Sequence, residues 1–166
     1  MPGFYSPAVF DPALIVGQIA AMQSLIYIGL GSWLLLLNAL AGQPATAVSL
    51  AQIFSHRAIN LSHTGGWLCS LAFFLNALAG GAFLAIVVER ARSCLDFATT
   101  VHALHLCGCA LYDGFPDNWE WWMVNFVSLV VMALLGEYLC MKREMQDIPL
   151  LFGSRERSRD RRSDFT

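Results

Sequence analysis

This chain of 166 residues is short of charge. Only 13% of it is Asp, Glu, Lys or Arg, against about 25% in an ordinary soluble domain. No charged side chain falls between Asp11 and Arg57, and none between Arg57 and Glu89. With 57% apolar residues, a chain this short cannot hide its apolar surface in one water-soluble core. Lipid removes the difficulty, and the uncharged gaps are what lipid demands: a charge at the bilayer centre costs at least about 2.5–3.5 kcal/mol. Lys and Arg are also missing ahead of the first apolar run. That run exceeds the roughly 7–15 residues of a signal-peptide core, so it reads as a permanent span and not a cleaved leader. The net charge of −2 comes with no basic, aromatic-interleaved patch, and nucleic acid is not an expected partner. A nucleophile elbow, a phosphate loop, a CxxC pair, a C-terminal lipidation box and an internal repeat are all lacking. No enzyme activity and no cofactor are expected. The five cysteines, odd in number and set in or beside apolar segments, do not suit a secreted disulfide framework.

What is present is length without charge, and it divides into four. The chain is expected to be an all-α membrane protein with four transmembrane helices over residues 1–150. The first spans about 12–40, opened by Asp11 as cap and Pro12 at the first helical position and ended by Gly42 and Pro44. Ser49 to Phe54 suits a short amphipathic turn lying on the membrane. The second span covers about 66–88, stopped by Glu89 and Arg90. Its Ala77 and Gly81 form a small-xxx-small pair that lets another helix come close. The third covers about 94–112 and the fourth about 121–140, joined by the polar turn Asp113 to Glu120. Their uncharged cores, 97–112 and 121–136, hold 16 residues each, just under the usual span of about 17–25. Their end charges must reach the headgroups, or the membrane must be thin. Residues 151–166 are charged and Ser-rich, and are expected to form a disordered tail.

Nine of the ten Lys and Arg residues fall on the N-terminus, the second connection or the tail, and only Arg57 falls on the other side. Positively charged flanks stay in the cytosol, so both termini are expected there. Trp67, Trp119, Trp121 and Trp122 then gather at the opposite interface, where indole rings sit well.

Polar groups within the spans are the candidates for function. Asp96, Glu137, Arg90 and Arg92 converge at one level near the cytosolic end. They suit either an ion-pair cluster tying helix ends together or a polar pocket open to a partner's peptide. His102 and His105 share a helix face with Thr99 and Cys109, a stripe that should point into the bundle. No metal site is expected, because a zinc ion needs at least three well-spaced protein ligands. Gln18, Gln23, Asn38, Asn76 and Asn125 suit interhelical hydrogen bonds. Cys94 and Cys140 lie at the boundary where palmitoylation occurs, although unmodified thiols suit the same positions.

Several short strings, taken in order, resemble one family. Phe10-Asp11-Pro12, Leu14-Ile15, Gln18-Ile19 and Met22-Gln23 open the chain. Cys94-Leu95-Asp96-Phe97, Thr100-Val101-His102 and His105-Leu106 open the third span. Trp121-Trp122 begins the fourth, which closes on Gly136-Glu137-Tyr138-Leu139-Cys140-Met141, Glu144 and Ile148-Pro149-Leu150. Over about residues 9–150 the chain resembles the Sys-one family of small Golgi membrane proteins. The resemblance implies a four-span receptor of the Golgi membrane, with the trans-Golgi as its place. Such a receptor recruits an Arf-related small GTPase through its acetylated N-terminus, and acts indirectly on golgin tethers and on endosome-to-Golgi traffic. It also implies partner-binding positions at Asp11, Gln18, Asp96, His102 and Glu137. A small ion or proton channel or transporter subunit is the alternative, motivated by Asp96, His102 and His105. A membrane enzyme or metal binder is the third reading.

Overall fold

The computed structural model describes residues 12–44, 48–88 and 91–163, with side chains as far as Met145. Five α-helices follow in chain order: α1 (Pro12–Leu40), α2 (Leu50–Phe54), α3 (Thr64–Val87), α4 (Cys94–Asp113) and α5 (Trp119–Ser163). Short 3-10 turns at His56–Ala58 and Ala91–Ser93 lead into α3 and α4. All but α2 are long and apolar enough to cross a membrane. The chain is thus an all-helical protein with four membrane-spanning helices.

Local chemistry sets the ends of these helices. α1 begins at Pro12, whose missing N–H is no loss in a first turn. It ends on Gly42, which takes a φ of +72°. There Gly42 N–H donates to Ala39 O and Gln43 N–H to Asn38 O, the two-bond closure a left-handed residue makes possible. Asn118 caps α5, its side-chain oxygen accepting from Glu120 N at 3.1 Å.

Spans cross-pack in an order that the chain order does not suggest. The second and fourth, α3 and α5, run parallel and share the most extensive interface, α1 packs chiefly on α3, and α4 packs chiefly against α5. Ala77, Gly80, Gly81 and Gly136 line the α3–α5 seam, where small residues let backbones approach and dispersion accumulate. The expected small-xxx-small pair therefore has its partner helix in α5, with Leu135 seated on Gly81. One buried cluster gathers Met22, Leu84, Cys94, Ala98 and Met132 toward the end that carries the termini. A second gathers Leu30, Leu34, Ile59, Phe73 and Trp121 toward the opposite, loop end.

One sequence expectation needs correction. Trp67, Trp119 and Trp122 are exposed, as an interfacial belt requires, but Trp121 is 2% exposed. It stacks on His105 at 6.3 Å instead, because positions 121, 125, 128 and 132 form the inner face of α5 while 119, 122 and 126 face out. α2 turns one ring inward: Phe54 packs against Tyr27, His105 and Tyr112. The backbone of α5 runs helical to Ser163.

Candidate functional site

At the terminal end, the last turn of α3 leaves carbonyl groups that no in-helix amide reaches. Neighbouring spans supply the donors. Gln18 Nε2 of α1 donates to Val87 O at 3.0 Å, and Arg143 Nη1 of α5 donates to Ala85 O at 2.7 Å. Just beyond, Glu144 Oε1 accepts from Ala91 N at 3.3 Å. One amide, one guanidinium and one carboxylate thus tie α1 and α5 around the exit of α3. Beside them Cys94 and Cys140 face each other with sulfurs 3.4 Å apart. Both cysteines are fully buried, so neither thiol stands open to an acyl donor.

The candidate residues fall into separate places around this end. Gln18 belongs to the polar cap. Asp96 and Glu137 are exposed on α4 and α5, and among the described residues no salt bridge joins either to Arg92. Of the expected ion-pair cluster, Arg90 lies outside the described residues, and Asp96, Glu137 and Arg92 form no salt bridge among themselves. His102 sits deeper, half-buried, its Nδ1 donating to Ala98 O at 2.9 Å. Asp11 and Arg90 lie outside the described residues. What the sequence reading missed is the capping role of Arg143 and Glu144, the donor and the acceptor that complete the cap. Their signal was their place, one turn past the last apolar residues of the fourth span, where a side chain can reach a neighbouring helix end.

The polar stripe on α4 divides. His105 and Cys109 are buried, with Nε2 and sulfur 3.5 Å apart, and Tyr27, Phe54, Phe73 and Trp121 ring the imidazole. Thr99 instead faces outward and spends its hydroxyl on Leu95 O. No continuous polar file runs through α4. Of the expected interhelical amides, Gln18 and Asn76 do cross, Asn76 reaching Ile26 O at 3.2 Å. Asn38 and Asn125 bond one turn back within their own helices. Among the described residues no group of three His, Cys, Asp or Glu side chains could hold a metal.

The loop end is closed by a second polar cluster. Ser55 donates to Asp113 at 2.5 Å, and His56 lies between Asp113 at 3.5 Å and Asp117 at 3.2 Å. Glu120 accepts from Leu61 N and Asn118 donates to Ile59 O, both at 2.8 Å. The first connection is thereby clamped on the third. Asn118→Ala removes this bond and the α5 cap together, and should cost about 1–3 kcal/mol, read as a lower melting temperature in detergent. A melt identical to the parent would show that the clamp carries no stability.

Comparisons with known proteins agree with this architecture. Residues 5–150 match the model of the SYS1 family, described as "Integral membrane protein S linking to the trans Golgi network". A SYS1 homolog of Nematostella vectensis is 43% identical over 88% of this chain and 91% of its own length. One from Dictyostelium discoideum is 39% identical over 90% of this chain and 63% of its own, longer, length. SYS1 of Saccharomyces cerevisiae is 28% identical over 57% of this chain and 47% of its own. No solved structure matches. With a family model covering most of its length and close relatives spanning the same four helices, the chain belongs to the SYS1 family of integral membrane proteins of the trans-Golgi network.

Proposed function

We propose that this chain is a Golgi membrane receptor that recruits an Arf-related small GTPase, with the terminal end of the bundle as the docking face in the cytosol. The observation that carries the reading is the concentration of positive charge. Nine of the ten Lys and Arg residues belong to segments at this end, and such segments are retained in the cytosol. The same end carries the exposed carboxylates of Asp96 and Glu137, which have no salt-bridge partner among the described residues. They are available to a soluble protein approaching the headgroups.

The partner chemistry follows the family resemblance. Acetylation removes the charge of a protein N-terminus, and the uncharged segment can then enter the headgroup region beside α4 and α5. One weak membrane contact rarely anchors a soluble protein. A receptor in the bilayer supplies the second, and golgin tethers follow downstream of the GTPase. Removing this chain from cells should release the GTPase from Golgi membranes into the cytosol, as should blocking its N-terminal acetylation. GTPase that stays on the Golgi in a deletion strain, seen by fractionation or fluorescence, would overturn the proposal.

A further inference from the structure

Midway along the bundle, where the polar stripe was expected to emerge, all four spans surround a cavity. Tyr27 of α1, Asn76 of α3, His102 and His105 of α4, and Asn125 and Ser128 of α5 line it, with Met132 at its inner wall. Room for the centres of water molecules amounts to about 30 Å³. A single water needs about 10–15 Å³ on that measure, together with two to four polar partners.

The hydrogen-bond inventory around this space is incomplete. Asn76 uses its amide on Ile26 O but leaves its side-chain oxygen, fully enclosed, with no partner. Ser128 is 3% exposed, and no hydrogen bond of its hydroxyl joins it to another described residue. Asn125 spends one N–H on Trp121 O, which leaves its carbonyl oxygen for the cavity. His102 bonds Ala98 through Nδ1, which leaves Nε2. Asn125 and His102 each keep a second polar atom beyond the bond to their own helix, and Ser128 keeps its hydroxyl, around one space within a bundle otherwise bathed in hydrocarbon. An unmade hydrogen bond there costs several kcal/mol.

We propose that this cavity is a binding site for one or two ordered water molecules, held by the hydroxyl of Ser128, the carbonyl of Asn125 and the imidazole of His102. Water is the ligand class because the space is too small for a headgroup or peptide, and the polar groups of Ser128, Asn125 and His102 give a water the two to four partners it needs. The site completes the contacts of α4, which packs weakly against α1 and α3, by joining it through solvent to the rest of the bundle.

Hydroxyl-radical labelling by X-ray radiolysis tests this directly, because a bound water makes the radical in place. The purified full chain in detergent offers three methionines as internal controls. Met132 is 1% exposed and lines the cavity, Met22 is 0% exposed and does not, and Met145 is 63% exposed. Met132 is expected to gain oxygen with dose while Met22 does not. A bulk radical scavenger should suppress labelling at Met145 and spare Met132. Ser128→Val, which fills the space and removes the hydroxyl, should abolish labelling at Met132. If Met132 stays as unlabelled as Met22, or loses its label to the scavenger, the site is dry and the proposal is wrong. Should the valine variant fail to fold, the Met132 and Met22 contrast in the parent decides alone.

Discussion

Gly66→Ala is expected to lower the stability of the bundle by about 3 kcal/mol or more, the upper end of what overpacking costs. A Cβ at this position would stand 1.8 Å from Asn60 O and 2.7 Å from Asn60 N. Both are backbone atoms, and neither can turn aside as a flexible side chain would. Relief requires the first connection to lift away from α3. That movement pulls on Ile59, which is 1% exposed in the core, and on the bonds from Ile59 O and Leu61 N to Asn118 and Glu120. The strain is thus shared by the whole loop end. Gly65→Ala is the control, since nothing lies within 4 Å of its added methyl. Alanine is the better helix former by about 0.5–1 kcal/mol, so that variant should melt at or above the parent temperature. Equal melting of the two variants would mean that α3 and the first connection do not meet as described.

The four spans and their order were legible because hydrocarbon imposes one strong rule, the absence of charge, and sequence displays it directly. Helix ends were legible for a similar reason: Pro12, Gly42 and the Asp113–Glu120 turn each announce a backbone constraint. Which span neighbours which was not legible. Lipid-facing and helix-facing positions are both apolar, so the pairing of α3 with α5 leaves only the faint trace of Ala77 and Gly81. Trp121 was misplaced for the same reason. Four tryptophans near one interface look alike until the helical phase of α5 is fixed, and Asn125, Ser128 and Met132 fix it only together. The polar cap was half visible. Gln18 stood out in an uncharged run, whereas Arg143 and Glu144 were hidden among other charges beyond the fourth span, where residues are easily assigned to a solvated tail.

Asp96→Ala combined with Glu137→Ala should separate docking from folding. Both side chains are exposed and have no salt-bridge partner among the described residues. Surface changes of that kind normally stay within about 0.5 kcal/mol, so the melting temperature in detergent should barely move. If the terminal end receives the GTPase, loss of these two charges should weaken capture of the GTP-locked partner by about tenfold, the effect of about 1.4 kcal/mol. Arg143→Met makes the contrast. It strips the donor from Ala85 O and leaves a helix-end carbonyl without it, at about 1–3 kcal/mol, so stability and capture should fall together. The sign of the comparison carries the argument. A carboxylate pair that matters only to a partner changes binding at constant stability, while a cap residue cannot change one without the other. Unaltered capture by the double alanine variant, with Golgi residence intact, would move the docking face away from the α4–α5 edge.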